Sequence, residues 1–94
     1  QKRFSEILES VATGPLPFHA RDFLAYGESW NCSANYGDGL SFPGWGATIP
    51  GIVLSSGIEI PYANASGREV EPGSLRVFGV DLSVALSAYL QTLP

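Results

Sequence analysis

Two segments with helical periodicity, one near each end of the chain, constrain the fold most. In the first segment, apolar residues recur every three or four positions: Phe4, Ile7, Leu8 and Val11. Gly14 and Pro15 then interrupt the pattern, which predicts an amphipathic helix over residues 2 to about 13. The apolar face of such a helix needs a surface to pack against.

The second periodic segment follows a polar turn, and Pro72 suits the first position of a helix there. Its apolar residues again recur at intervals of three or four: Leu75, Phe78, Leu82, Leu86, Tyr89 and Leu93. Val77, Val80 and Val84 widen the apolar face. The sequence therefore predicts a mostly buried C-terminal helix.

Between these helices, one segment has clear strand character. Residues 51–60 are rich in β-branched and apolar side chains and Pro61 ends the run, which predicts an interior strand. Residues 16–26 are interpreted as a short strand or an extended stretch. An independently stable sheet needs three or more strands, or good helix cover. We therefore expect an α/β fold in the order helix, loop, strand, helix, with residues 1–94 forming a single segment that is incomplete on its own.

A stretch rich in glycine and aromatic residues occupies positions 27–50. Its tryptophan, tyrosine and phenylalanine residues are Trp30, Tyr36, Phe42 and Trp45. An irregular segment of this length is uncommon in a compact domain and indicates a functional loop, a lid or an unrecognised element. The rings could stack on a sugar or a peptide side chain, or they could pack a small core of their own.

Composition and charge argue against nucleic-acid and membrane partners. With 45% hydrophobic and 15% charged residues, the chain is expected to fold. The net charge is −4 and Lys and Arg do not cluster, which argues against a nucleic-acid partner. No apolar run approaches the roughly 20 residues that cross a bilayer, so no membrane partner is expected. Asn31 and Asn64 each begin a glycosylation triplet, which favours a secreted or extracytoplasmic glycoprotein.

Glu59 is the strongest candidate for a chemical role. In a strand over residues 51–60, alternation would place Glu59 on the same, nearly bare face as Ser55 and Gly57. The open space in front of the carboxylate would let a ligand approach, as a general base requires. The alternative is that Glu59 simply faces solvent on a half-exposed strand.

His19 and Cys32 are weaker candidates. His19 and Asp22 could touch one metal ion if their segment were helical, but a catalytic zinc needs three protein ligands and no third lies nearby. A surface or hydrogen-bonded histidine is the favoured interpretation. Cys32 is the only cysteine and is interpreted as a structural or incidental thiol. We therefore predict no metal ligand within this chain.

The sequence Ser-Gly-Ile-Glu-Ile-Pro-Tyr at positions 56–62 precedes the polar turn and the C-terminal helix. This arrangement resembles the C-terminal part of the zinc carboxypeptidase family, in which a glutamate-bearing strand, a turn and a long closing helix end the fold. The preceding helix and the loop with glycine, serine and aromatic residues follow the same order. The resemblance implies the C-terminal portion of a mixed-sheet catalytic domain, in which a zinc-bound water attacks a peptide or amide carbonyl.

The resemblance also implies roles for individual residues. Glu59 matches the general base that acts on the zinc-bound water, and Tyr36 or Tyr26 would cover the substrate. The family's His-x-x-Glu zinc pair is absent, and its third zinc histidine would precede Gln1. The zinc cofactor is therefore expected in a parent enzyme, held by an N-terminal part that this chain lacks.

Two functions follow as expectations. In the first, the chain is the C-terminal segment of a zinc-dependent carboxypeptidase-like hydrolase, a metallopeptidase that is inactive without its N-terminal part. Glu59 would then serve in the hydrolysis of a peptide or amide substrate. In the alternative, the chain is a small secreted, non-catalytic binding module that uses its aromatic, glycine-rich loop to hold a sugar or a protein.

Overall fold

A computed structural model describes residues 1–25, 28–29, 31–35, 37 and 39–94. The described elements are, in order, α1 (Lys2–Val11), two 3₁₀ turns (Ala20–Asp22 and Ser33–Asn35), α2 (Phe42–Gly46), β1 (Asn64–Ala65), β2 (Arg68–Glu69) and α3 (Pro72–Gln91). They fall into two compact units. The core unit comprises Lys2–Asp22 and Ile60–Pro94, and the loop unit comprises Gln1 and Phe23–Glu59.

Both predicted end helices are confirmed, and they pack on each other in the core unit. The buried apolar side chains of this unit are Phe4, Leu8, Leu16, Phe78, Ala85 and Tyr89. Phe4 meets Tyr89 edge to face, with ring centroids 5.9 Å apart. An edge-to-face pair of this kind stabilises a contact beyond the area it buries. Packing of side chains from α1 and α3, with Leu16 from the segment after α1, thus forms the core.

Asp81 is a carboxylate in the middle of this interface and is only 3% exposed. The Gly14 backbone N–H donates to one carboxylate oxygen at 2.9 Å, and the Thr13 hydroxyl donates to the other at 3.3 Å. Burial by itself raises the pKa of Asp81, but the hydrogen bonds from Gly14 and Thr13 outweigh it and leave this pKa below its usual value. Asp81 thereby ties the chain after α1 to the middle of α3.

Gly14 allows this close approach because it has no side chain. A Cβ atom at position 14 would lie 2.5 Å from Cγ1 of Val77 and 3.0 Å from a carboxylate oxygen of Asp81. Both distances are shorter than ordinary van der Waals contact. Any side chain at position 14 would therefore force Val77 or the loop after α1 to move.

A tight hairpin leads into α3. Strands β1 and β2 pair antiparallel, with Asn64 opposite Glu69 and Ala65 opposite Arg68. Ser66 and Gly67 connect the strands with positive φ values of 51° and 83°, the geometry of a two-residue hairpin turn.

Ser74 stabilises the start of α3. Its hydroxyl oxygen accepts the Glu71 backbone N–H at 2.9 Å, and its side chain is buried. The bond satisfies the backbone N–H of Glu71 at the N-terminus of α3, where no intrahelical partner is available. Together with Pro72 at the first helical position, it fixes where α3 begins.

The strand prediction is wrong. Residues 51–60 contain no strand, and the only sheet within the described ranges is the β1–β2 hairpin. A β-rich sequence becomes a strand only when a neighbouring strand accepts its backbone hydrogen bonds, and none is present there. Residues 16–25 also contain no strand, and the 3₁₀ turn Ala20–Asp22 interrupts the stretch predicted as strand or extended over residues 16–26. Tyr26 lies outside the described residues. The larger mixed-sheet, carboxypeptidase-like α/β fold stays a prediction.

Helix α3 is less buried than the sequence predicts. Its buried positions form one narrow stripe of Ser74, Phe78, Asp81, Ala85 and Tyr89. Exposed apolar side chains lie on either side of the stripe, and we call them the leucine flank (Leu75, Leu86, Leu90) and the valine flank (Val77, Val80, Val84). The prediction of a mostly buried helix is therefore wrong, because α1 is too narrow to cover the full apolar face.

The length and composition of α3 would also allow it to cross a membrane. It is the one such helix in the part of the chain that the structure describes. A core helix of a soluble protein meets the same two criteria, and α3 carries the buried Asp81 of the core unit. The absence of a membrane partner stays a prediction.

Gly14→Ala is expected to lower the free energy of unfolding by about 1–3 kcal/mol, because its methyl group would overpack the contact with Val77. Gly79→Ala is the matched control. A Cβ atom at position 79, inside α3, meets nothing within 4 Å, so alanine there should stabilise the helix by about 0.5–1 kcal/mol. Urea unfolding measures both changes. Equal effects of the two substitutions would contradict the described approach of Gly14 to α3.

Asp81→Asn is expected to flatten the acid end of the stability profile. Because the pKa of Asp81 is lower in the folded protein than its usual value of 3.8, the charged carboxylate stabilises the fold above about pH 5. That contribution is lost as the pH falls below 3.8 and through the folded-state pKa. Urea unfolding at several pH values measures the slope. Asp22→Asn, at an exposed position, is the control. If the unfolding free energy of Asp81→Asn changed with pH as steeply as that of the wild type, the lowered pKa of Asp81 would be contradicted.

Candidate functional site

The loop unit presents a group of exposed apolar side chains around α2. Phe42 is 78% exposed, Leu40 65% and Trp45 53%. The Phe42 and Trp45 ring centroids lie 5.9 Å apart with their planes inclined at 41°. We call Leu40, Phe42 and Trp45 the aromatic platform. Exposed apolar side chains grouped in this way make the platform a candidate binding surface.

Local sequence explains why a helical turn forms at this point. Ser41 has extended backbone, and its hydroxyl accepts the Gly44 N–H at 3.1 Å, as an N-cap residue does. Pro43 lies in the first turn, where its lack of an N–H costs no hydrogen bond. The Trp45 N–H donates to the Ser41 carbonyl at 2.8 Å and closes the turn. These bonds fix the backbone beneath Phe42 and Trp45.

The segment after α2 returns and supports the turn. The Ser55 hydroxyl donates to the Pro43 carbonyl at 2.6 Å. A Cβ atom at position 46 would lie 2.5 Å from the Ser55 hydroxyl oxygen, so Gly46 is needed for this contact. A Cβ atom at position 57 would meet Pro43 at an ordinary 3.5 Å. The segment predicted as a strand, residues 51–60, instead provides Ser55 as a support for α2.

The polar groups around the platform are largely used within the protein. The hydroxyls of Ser41 and Ser55 bond to the backbone of α2, and the Thr48 hydroxyl donates to the Trp45 carbonyl at 2.7 Å. The Trp45 indole N–H has no partner among the described residues. The platform can therefore offer a ligand aromatic faces, aliphatic contact and a hydrogen-bond donor.

Charge in this part of the sequence has one sign. Residues 23–59 contain Glu28, Asp38 and Glu59 and no Lys, Arg or His. Asp38 lies outside the described residues. The other two carboxylates are on exposed residues. The charged side chains that this segment contributes would therefore favour a cationic ligand over an anionic one.

The structure does not place the predicted catalytic residue in a site. Glu59 is exposed, lies outside any strand, and makes no hydrogen bond or ion pair with the described residues. Its predicted position on a strand face is wrong, because the strand is absent. Tyr26 and Tyr36, the candidates for covering the substrate, lie outside the described residues. The general-base role of Glu59 stays a prediction.

His19 lies near a carboxylate other than the one in its own sequence motif. Its Nδ1 atom is 3.7 Å from an Oε1 atom of Glu9 on α1, and both side chains are partly exposed. Among the described residues, no three His, Cys, Asp or Glu side chains come together in a way that could hold a metal ion. The zinc of the proposed parent enzyme stays a prediction, since its ligands were expected elsewhere.

The helical turn at the platform was missed in the sequence, although a signal for it was present. Ser41 followed by Pro43 places an N-cap residue just before a proline in the first turn, the usual start of a helix. Glycines at positions 44 and 46 obscured it because they lower helix propensity.

Comparisons of the chain with protein-family models, with curated proteins and with solved structures found no match. The resemblance to zinc carboxypeptidases therefore rests on the sequence order alone.

Gly46→Ala is expected to displace the support of the platform, because its methyl group would collide with the Ser55 hydroxyl. The same substitution in a Ser55→Ala background should do less damage, since the colliding oxygen is gone. Hydrogen exchange at the Trp45 amide, which closes the α2 turn, measures the effect. A Ser56→Ala background is the control and should give no relief. Equal effects of Gly46→Ala in all three backgrounds would contradict the contact.

Proposed function

We propose that this chain is a non-catalytic binding module and that the aromatic platform is its contact surface. The observation that carries the proposal is the exposure of Phe42 and Trp45 on a turn held by Ser41 and Ser55. A turn whose backbone is held in place before binding loses little backbone conformational entropy when a ligand arrives. Aromatic residues presented in this way are frequent anchors of binding interfaces.

The partner is a protein segment rather than a sugar. A sugar ring needs several hydrogen-bonding groups beside the aromatic face, but the hydroxyls of Ser41, Thr48 and Ser55 already bond within the loop unit. An aliphatic or proline side chain needs only apolar contact. The indole N–H of Trp45 would then donate to a backbone carbonyl of the partner.

Binding of a partner would also bury apolar surface that the loop unit leaves exposed to water. None of its described residues is buried, so no described part of this unit forms a core of its own. A partner that covers Leu40, Phe42 and Trp45 would remove apolar surface from water. The free energy gained by this burial would stabilise both the complex and the local fold of the loop unit.

Trp45→Ala is expected to weaken binding about 10-fold or more, because it removes the larger ring and the indole donor. Peptides are first selected from a random library on the immobilised chain. Their affinities are then measured by calorimetry for the wild type, Trp45→Ala and Phe42→Ala. Tyr62→Ala is the matched control, since Tyr62 is an exposed aromatic residue of the other unit. Binding that ignores Trp45, or Trp45-dependent binding to a sugar array alone, would contradict a protein partner.

We also propose, as a second candidate, that the chain is the C-terminal segment of a carboxypeptidase-like hydrolase. The uncovered leucine and valine flanks of α3 favour it, because a helix that closes a larger domain would pack these side chains on a sheet. In this proposal Glu59 acts as general base when the parent enzyme supplies the zinc ligands.

Glu59→Gln in a zinc-containing parent polypeptide is expected to lower kcat for peptide hydrolysis at least 100-fold, because the amide cannot take a proton from the water. Glu28→Gln, which changes another exposed carboxylate of the loop unit, is the control and should leave kcat unchanged. Zinc content is measured in each preparation. Unaltered turnover in Glu59→Gln with zinc bound would exclude the hydrolase proposal.

A further inference from the structure

The β1–β2 hairpin carries a triplet that can accept an N-linked glycan, Asn64-Ala65-Ser66. Asn64 is exposed at the start of β1. Its backbone pairs with Glu69, while its side chain makes no hydrogen bond with the residues that the structure describes. The amide nitrogen that would bear the sugar is therefore accessible on a well-defined turn.

In the other acceptor triplet, Asn31-Cys32-Ser33, the asparagine side chain is hydrogen-bonded within the protein. The Asn31 side-chain nitrogen donates to the Leu24 carbonyl at 3.0 Å in a part-buried position. The Asn31 backbone also bridges to Glu28. A sugar on that nitrogen would have to fit beside the Leu24 carbonyl or break the bond, which costs free energy. The two triplets therefore differ in geometry although both match the sequence motif.

We propose that Asn64, and not Asn31, is an N-glycosylation site when the chain passes through a eukaryotic secretory pathway. In the reaction, the Asn64 amide nitrogen bonds to the anomeric carbon of an oligosaccharide carried on a lipid pyrophosphate. The bond from that carbon to the pyrophosphate oxygen breaks, the lipid pyrophosphate leaves, and the amide nitrogen loses one proton. No oxidant or reductant takes part.

Tyr62 is a second observation that points to a sugar at Asn64. It is 98% exposed, an unusual state for a tyrosine. Because it precedes Asn64 by two residues, the two Cα atoms lie at most about 7 Å apart. The ring is thus within reach of the first sugar of a glycan, whose apolar face can pack on an aromatic ring.

A glycan at Asn64 would also cover the apolar surface beside Tyr62. Tyr62 lines a shallow, mostly apolar depression of about 250 Å³ together with Ile60 and Leu75, and Leu75 belongs to the leucine flank. An exposed apolar surface of this kind favours aggregation unless something covers it. A glycan anchored at Asn64 would shield it and keep the hairpin soluble.

The test is expression in human cells behind a heterologous signal peptide. Secreted and intracellular chains are both treated with an N-glycanase in ¹⁸O water, which converts each glycosylated asparagine to labelled aspartate, and are read by mass spectrometry. We expect label at Asn64 and none at Asn31, loss of all glycan mass in Asn64→Gln, and an unchanged glycan in Asn31→Gln. Label at Asn31, or an unlabelled Asn64 in the translocated chain, would overturn the proposal.

The role of Tyr62 has its own readout. The glycosylated wild type should melt about 4 °C or more above the enzymatically deglycosylated protein. In Tyr62→Ala, the glycan should remain attached but this difference in Tm should disappear. An undiminished difference would overturn the stacking of the glycan on Tyr62. These outcomes do not depend on whether the aromatic platform binds a partner.

Discussion

The core unit depends on the hydrogen bonds from Thr13 and Gly14 to the buried carboxylate of Asp81. A buried charge without such donors would cost several kcal/mol. The loop after α1 must therefore contact α3 at the position of Asp81 along the helix. That requirement fixes the rotation of α3 about its axis. Phe78 and Ala85 then face the interior, while the leucine and valine flanks remain on the surface. With Asp81 at the centre of the buried stripe, α1 covers only that stripe and leaves the two flanks exposed.

The loop unit follows a different principle. Its described residues have no buried member, and side-chain to backbone hydrogen bonds define its best-formed part, the turn at α2. Ser41 and Ser55 use their polar groups on the backbone and leave Phe42 and Trp45 facing outward. The platform is apolar, and the charged side chains of residues 23–59 are all acidic, which suits the proposed protein segment with apolar side chains and a Lys- or Arg-rich rim.

The sequence predicted the two end helices because their apolar spacing reports directly on helix geometry. It did not predict that residues 51–60 would lack a strand, since pairing depends on a partner that composition does not reveal. The predicted position of Glu59 on a strand face failed with the strand. The contact between Gly14 and Asp81 joins residues far apart in sequence, and nothing local to either one marks it. At α2, by contrast, Ser41 and Pro43 were a readable signal that the neighbouring glycines obscured.

One unit has a core joined at Asp81, whereas the other is held mainly by local hydrogen bonds. Residue-resolved amide hydrogen exchange of the intact chain, followed by NMR, distinguishes the two. We expect the strongest protection in the middle of α3 around Asp81 and Ala85, and much weaker protection at the Trp45 amide of α2. Equal protection in the two units, or rapid exchange around Asp81, would contradict it.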